Sequence, residues 1–196
     1  MSAVASNPPV VRDRLMTADD FHALPDSKGW ELDDGRLVEK PMGSNSAGIG
    51  SEVLILILFY LHDHPIGRAF AEMPYRCYPN HPNRIRKPDV SFIRHERLPV
   101  GPLPEPGITA PPELAVEVLS PNDLASEIDR KVKEYLEAGV RLVWVVNPDV
   151  RTVRIHRLNG TIAQADERGV VSGEDVLPGF QFVVGDLFKS AAPFPR

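Results

Sequence analysis

Cysteine is almost absent from this chain of 196 residues, which contains Cys77 and no other cysteine. A single cysteine rules out an intrachain disulfide framework and every zinc finger built on paired cysteines. The first fifteen residues hold no continuous apolar segment of the kind that a signal peptide needs. The apolar run at 53–61 is also too short for a membrane span, which needs roughly 20 residues. We therefore expect a cytoplasmic protein that does not enter a membrane.

A surplus of positive charge is absent as well, because 22 lysines and arginines are outnumbered by 27 aspartates and glutamates, for a formal net charge of -5. A protein that holds nucleic acid only by neutralising phosphates would be basic. Nucleic acid remains possible, since carboxylates around a divalent cation lower the net charge while they create a phosphate-binding metal site. The chain also lacks a Walker loop, a dinucleotide fingerprint and a Gly-x-Ser-x-Gly nucleophile elbow.

The composition that is present, 42% hydrophobic and 25% charged, is that of one soluble globular domain. The 20 prolines and 14 glycines predict long connections between its elements. We expect a single domain over residues 16–190, with a flexible N-terminal segment at 1–15 and a tail at 191–196.

Two local patterns describe the N-terminal half. Short alternating runs flank Asp34-Gly35, which predicts a tight hairpin with Glu31 on its first strand. The continuous apolar content of 46–62 predicts a largely buried helix. Two or three strands are expected between residues 68 and 93, and further strands are expected toward the C-terminus.

The middle of the chain changes from a strand pattern to a helix pattern and back, which predicts a βαβ unit. Its first strand is expected at 114–119 and its second at 142–146. The helix between them is expected at 123–138, capped by Ser120 or Asn122.

Two carboxylates are the main candidates for chemistry. Glu117 interrupts the apolar run LAVEVL, where an unpaired ionised carboxylate would be very costly to bury. Asp89 follows Pro88 at the start of another strand-like run, at a separation that lets the two strands be neighbours. Acidic side chains that converge from adjacent strands offer the oxygen ligands that Mg²⁺ or Mn²⁺ prefers. The alternative is structural: Asp89 caps a turn, and Glu117 pairs with a basic neighbour.

A lysine on the predicted helix is the third candidate. At 100° per residue, Lys131 lies at the edge of the helix's apolar face and Lys133 points to the opposite side. Lys131 is therefore predicted to face the sheet, where it could pair with Glu117 or stabilise charge developing on a phosphate. The alternative is that it only extends from the helix edge to solvent, as Lys133 is expected to do. The predicted apolar face comprises Leu124, Ile128, Val132, Tyr135 and Leu136.

A family resemblance is carried by four segments in order: WELDDGRL, KPDVSFI, LAVEVLSPND and DRKVKEYLEAGVRLVWVVNP. Together they resemble the Uma-type restriction endonucleases of the PD-(D/E)XK nuclease superfamily, and LPGFQFVVGDLF resembles that family's usual ending. The resemblance implies a restriction-endonuclease-like α/β fold, with a mixed central sheet flanked by helices, an N-terminal hairpin and added C-terminal strands. It also implies phosphodiester hydrolysis of nucleic acid, with DNA as the expected substrate and Mg²⁺ or Mn²⁺ as the cofactor.

The resemblance also implies a ligand set for the metal. Asp89 and Glu117 match the two acidic motif residues, and the main-chain carbonyl of Val118 would complete their contribution. Glu31, from the N-terminal hairpin, would be an additional acidic ligand. Glu52, on the long helix, competes with Glu31 for this role.

One departure from the superfamily pattern concerns its lysine. Leu119 stands two residues after the motif glutamate, where the superfamily normally has a lysine. Lys131 is the proposed replacement, reaching the site from the following helix. The departure and the acidic net charge also favour an alternative function, that of a catalytically inactive nuclease fold that serves as a binding or assembly module.

Assembly is the last expectation. The long apolar helix and the strands after Asn147 offer more apolar surface than one helix-flanked sheet readily covers. Small nucleases of this superfamily commonly cut duplexes as symmetric pairs. We therefore expect a two-fold homodimer.

Overall fold

The computed structural model describes residues 15–40, 43–105, 107–121 and 123–189. Apart from Leu15, the expected flexible segment 1–15 lies outside the described residues, as do the tail at 191–196 and Asn122. The described elements, in chain order, are α1 (Ala18–His22), β1 (Trp30–Asp33), β2 (Arg36–Glu39), α2 (Ser44–Asp63), β3 (Gly67–Ala71), β4 (Val90–Arg94), β5 (Leu114–Val118), α3 (Ala125–Glu137), β6 (Leu142–Asn147), β7 (Thr152–Arg157), β8 (Ile162–Ala165), β9 (Val170–Ser172) and β10 (Gln181–Val183).

A six-stranded mixed sheet in the order β3-β4-β5-β6-β7-β8 forms the centre of the fold. Its strands pair antiparallel except β5 and β6, which run parallel and are joined through α3. This confirms the predicted βαβ unit and the mixed α/β fold. The added C-terminal strands are confirmed too, as β7 and β8 in the sheet and as the separate pair of β9 and β10.

The two long helices cover opposite faces of the sheet. Val53 and Ile57 of α2 are fully buried in the cluster that contains alternate residues of β4, β5 and β6. Val132 and Tyr135 of α3 are buried in the cluster on the other face. Full burial of an aliphatic side chain contributes about 1.5–3 kcal/mol, so these contacts fix both helices against the sheet.

The expectation that α2 is largely buried is wrong for half of the helix. Ile55, Leu58 and Phe59 are exposed, and Phe59 retains 71% of its accessible surface. The helix is long and apolar enough to cross a membrane by length and composition alone, yet its inner face belongs to the core. An apolar residue at nearly every position hides the helical period, so the sequence does not show which face is inward.

The start of α3 also differs from its prediction. The helix begins at Ala125 with Leu124 as N-cap and no capping side chain, so the expected cap by Ser120 is wrong. Ser120 instead donates its backbone N–H to Asp123 Oδ2 at 2.7 Å. Leu124 lies outside the helix and is 60% exposed, whereas Glu134 takes an unexpected place on the buried face.

The N-terminal hairpin forms as predicted and packs against the segment that leads into β4. Asp34 and Gly35 have φ angles of 48° and 86°, the left-handed conformation that a tight two-residue hairpin turn requires. Leu32 on β1 and Ile85 exchange backbone hydrogen bonds of 3.0 and 2.8 Å. This contact brings Glu31, the neighbour of Leu32, to the end of the sheet where β4 begins.

Candidate active site

Neighbouring strands bring Asp89 and Glu117 to the same end of the sheet. Val90 on β4 pairs with Val116 on β5, so the residue before Val90 lies beside the residue after Val116. Asp89 Oδ2 accepts a hydrogen bond of 2.6 Å from the backbone N–H of Val118. Asp89 and Glu117 both line one cavity of about 260 Å³, together with Val118.

Glu117 is buried on β5, with 3% of its surface exposed. Its Oε1 accepts a hydrogen bond of 2.6 Å from the hydroxyl of Tyr135, and its Oε2 lies 3.6 Å from Lys131 Nζ. Burial raises the pKa of Glu117, and the ammonium groups of Lys131 and Lys40 only partly offset this. Two side chains of α3, Tyr135 and Lys131, thus supply the polar partners that a carboxylate in an apolar strand requires.

Lys131 faces the sheet, as its position in the helical period predicts. Its Nζ lies 3.1 Å from Glu31 Oε2, so it bridges Glu31 and Glu117. Burial acts to lower the pKa of Lys131, but the two carboxylates raise it above its ordinary value and keep the side chain charged. Lys133 is 74% exposed and pairs with Glu137 at 3.7 Å.

Glu31 joins the cavity and Glu52 does not. Glu31 is buried, accepts the backbone N–H of Lys87 at 2.9 Å, and lies 3.3 Å from Arg86 Nη1. Burial acts to raise its pKa, but Lys131 and Arg86 together hold it below its ordinary value. Glu52 lines a separate cavity of about 320 Å³ at the start of α2.

Lys40 and Glu72 are among the residues of the cavity region that were not predicted from the sequence. Lys40 Nζ lies 2.7 Å from both Asp89 Oδ1 and Glu72 Oε1. Burial raises the pKa of Glu72 to about 7, although Lys40 acts against it. Both residues reach Asp89 through the packing of the hairpin and of β3 against the end of β4, which no local sequence pattern reveals.

Comparison with known proteins assigns the chain to a family. The model of a family described as "Uma2: Putative restriction endonuclease" matches residues 18–185. The chain belongs to the Uma2 family.

A solved structure of a "putative nuclease belonging to DUF820" from Anabaena variabilis ATCC 29413 has a similar fold, with a TM-score of 0.74. The two are 24% identical, and the match covers 88% of this chain and 97% of that one. No curated protein matches the chain. Family membership supports a nuclease-like function.

The resemblance to PD-(D/E)XK nucleases implies a divalent metal ion. The cavity of this Uma2 family member offers suitable ligands for one. Asp89, Glu117, Glu31 and Val118 line one cavity and offer carboxylate and carbonyl oxygens, the ligands that Mg²⁺ and Mn²⁺ prefer. Within the described residues, no group of three or more acidic, histidine or cysteine side chains is already arranged around one point. A carboxylate has about four acceptor sites, so Asp89 and Glu117 can offer oxygens to an ion and keep their present contacts with the Val118 N–H and the Tyr135 hydroxyl.

Arg86 is the buried cation that organises the surroundings of Glu31. Its guanidinium lies 3.3 Å from Glu31, 2.8 Å from Glu134 and 3.1 Å from Asp33, and its side chain is 1% exposed. The sequence offers one signal for this network: Glu134 stands three residues after Lys131, on the same face of α3. The network ties the hairpin to α3 and holds Glu31 beside Lys131.

We expect Arg86→Met to lower the free energy of unfolding by about 3 kcal/mol, because three enclosed carboxylates lose the cation that they share. The loss is limited because Glu31 keeps Lys131, and Asp33 and Glu134 keep Arg84. Urea denaturation at neutral pH measures this loss. Arg154→Met is the matched control, since Arg154 and Asp129 form a partly exposed pair at 3.8 Å. The control is expected to cost less than about 1 kcal/mol. Equal losses in the two variants would contradict a supporting role for the buried network.

Proposed function

We propose that the chain hydrolyses phosphodiester bonds in nucleic acid, with DNA as its substrate, at the cavity of Glu31, Asp89, Glu117 and Lys131. One observation carries this proposal: Lys131 reaches Glu117 from α3, at 3.6 Å. Leu119 occupies the superfamily's usual lysine position, and the ammonium group is supplied from the helix instead. The cavity therefore has the acidic and basic groups of the nuclease pattern, although the lysine comes from another point in the chain.

Mg²⁺ or Mn²⁺ is the cofactor that the donor chemistry fits. Asp89, Glu117 and the carbonyl of Val118 would hold the ion, with Glu31 as a further acidic residue. When bound, such an ion supplies Lewis acidity toward a phosphate oxygen and lowers the pKa of a bound water. A hydrogen bond fixes the position of each of these two carboxylates. Asp89 accepts the N–H of Val118, and Glu117 accepts the hydroxyl of Tyr135.

Lys131 provides a fixed positive charge for the phosphate. Its raised pKa keeps it protonated at neutral pH, and its contact with Glu31 restricts the direction of the ammonium group. A positioned cation stabilises charge that develops on phosphate oxygens in the transition state. Glu31, whose pKa is lowered, remains ionised and keeps Lys131 in place.

Incubation of the full-length protein with supercoiled plasmid, single-stranded DNA and RNA tests the proposal. With Mg²⁺ or Mn²⁺, we expect nicking or linearisation of DNA, and we expect a chelator to stop it. Parallel reactions with RNA test the choice of substrate. Failure to cut any of the three nucleic acids with either metal would contradict the nuclease function.

The second candidate is an inactive nuclease fold that serves as a binding or assembly module. It is favoured by the fact that both oxygens of Asp89 and both oxygens of Glu117 already have partners within the chain. Such a module is expected to bind no Mn²⁺ that depends on Asp89 and Glu117. Calorimetric titration of the wild type and of Asp89→Asn and Glu117→Gln with Mn²⁺ therefore separates the two functions.

The proposed homodimer has a candidate surface on the outer face of α2, where Ile55, Leu58 and Phe59 are exposed. A symmetric contact between two copies of this face would bury the side chains that the core leaves uncovered. We expect light scattering to give about twice the chain mass of 21.7 kDa, and we expect Phe59→Glu to give a monomer. Val150→Glu, at an exposed apolar side chain elsewhere, is the control. A monomeric wild-type protein at micromolar concentration would contradict the dimer.

A further inference from the structure

The ammonium group of Lys40 is held by three oxygen atoms at the edge of the candidate active site. It lies 2.7 Å from Asp89 Oδ1, 2.7 Å from Glu72 Oε1 and 2.5 Å from the carbonyl oxygen of Lys87. An ammonium group has three hydrogens to donate, so this set of acceptors satisfies it completely. We call Asp89, Glu72 and the Lys87 carbonyl the Lys40 cage.

The backbone around the cage keeps Lys40 in place. Lys40 follows β2 directly, and its own N–H donates to the carbonyl of Gly29 across the hairpin at 2.7 Å. Glu72 follows β3 with a φ angle of 49°, a left-handed conformation that costs a non-glycine residue about 1–2 kcal/mol. The Glu72 N–H points to the carbonyl of Asp89, at 3.4 Å. A strained residue is therefore held where its carboxylate meets Lys40 and Asp89.

The cage has the donor chemistry of a divalent cation site. Two carboxylates and one carbonyl are hard oxygen ligands, of the kind that bind Mg²⁺ or Mn²⁺. In sites with two metal ions, the ions lie about 3.5–4 Å apart and act together on one phosphate. In this cavity Asp89 belongs both to the Lys40 cage and to the ligand set proposed above for the metal.

We propose that Lys40 is a tethered cation that fills a second cation position, formed by Asp89, Glu72 and the Lys87 carbonyl, and so keeps a further divalent ion out. This inference rests on the proposed function, because it concerns the same metal-binding cavity. The ammonium group neutralises part of the acidic charge permanently. An ion held by the ligand set proposed above would then have a lysine as its neighbour rather than a second metal ion.

Counting bound Mn²⁺ on the full-length protein tests this inference without any measurement of activity. Calorimetric titration would compare the wild type with Lys40→Met, which removes the charge and preserves the length of the side chain. Because the vacated cage is acidic, we expect Lys40→Met to bind one more Mn²⁺ per chain than the wild type. Lys133→Met, which removes an exposed lysine from the opposite side of α3, is expected to leave the number unchanged.

Two further variants make the result specific to the cage. Lys40→Gln retains N–H donors for the cage oxygens, so it serves where Lys40→Met does not fold, and the same gain of one ion is expected. Adding Glu72→Gln to either variant replaces a charged cage ligand with a neutral amide and is expected to cancel the gain. Circular dichroism checks that each variant is folded.

The outcomes separate this inference from the proposed function. A gain of one Mn²⁺ over the wild type, cancelled by Glu72→Gln, supports the Lys40 cage. Equal numbers of bound ions in the wild type and in the folded Lys40 variants would overturn the inference and leave the proposed function standing. If neither the wild type nor the Lys40 variants bind Mn²⁺, the metal dependence of the proposed function fails as well.

Discussion

Replacing Asp89 with asparagine is expected to lower the rate of DNA cleavage by about 10³-fold or more, because it removes a charged group from the ligand set proposed for the metal ion. Asparagine is almost the same size and retains one oxygen that can accept the N–H of Val118, so the local backbone contact can persist. The loss should thus be specific to metal affinity and to the chemical step. Steady-state cleavage of a plasmid, with Mn²⁺ titration in parallel, measures both.

Asp166→Asn is the matched control for this variant. Asp166 is exposed, lies after β8 at the opposite edge of the sheet, and accepts a backbone N–H from Arg168 that asparagine can also accept. It is expected to leave cleavage unchanged. Cleavage by Asp89→Asn at the wild-type rate would refute the assignment of Asp89 to the metal, and with it the proposed mechanism.

Much of the fold could be predicted from local pattern, and the βαβ unit shows why. The strands β5 and β6 are buried on both faces and are therefore continuous apolar runs, whereas α3 between them has a clear helical period. The change from one period to the other is visible within a single segment. α2 lacks such contrast, because apolar side chains surround it on almost every side, and so its exposed face was not predicted.

Only the site residues whose positions follow from local helix or strand geometry could be predicted from the sequence. Lys131 could be oriented from the 100° period, and Asp89 and Glu117 could be placed on neighbouring strands by their spacing. Lys40 and Arg86 reach the site through contacts of the hairpin with residues about fifty positions away in the chain. Such contacts depend on how the hairpin packs against the sheet, which no periodicity of the sequence encodes.

Lys131→Ala is expected to reduce the chemical step of cleavage by roughly 10²–10³, the effect of losing one preorganised electrostatic group. Lys133→Ala is the control, on the same helix but exposed, and is expected to have almost no effect. Mn²⁺ binding and the fold should be largely retained in both variants. Single-turnover cleavage isolates the chemical step, and thermal melting measures the stability of each protein.

The opposite pattern would assign Lys131 a purely structural role. Without Lys131, Glu31 keeps Arg86 and the Lys87 N–H, but Glu117 keeps only Tyr135 among these close contacts. Loss of a lysine with a structural role would therefore mainly lower stability.

Leu119→Lys in the Lys131→Ala background restores the superfamily's usual spacing. Because Leu119 stands two positions after Glu117, the new ammonium group would start from the same side of the sheet. It should rescue cleavage only if it reaches the point that Lys131 occupied. Equal cleavage by Lys131→Ala and Lys133→Ala would remove Lys131 from the mechanism and leave the nuclease function dependent on the carboxylates alone.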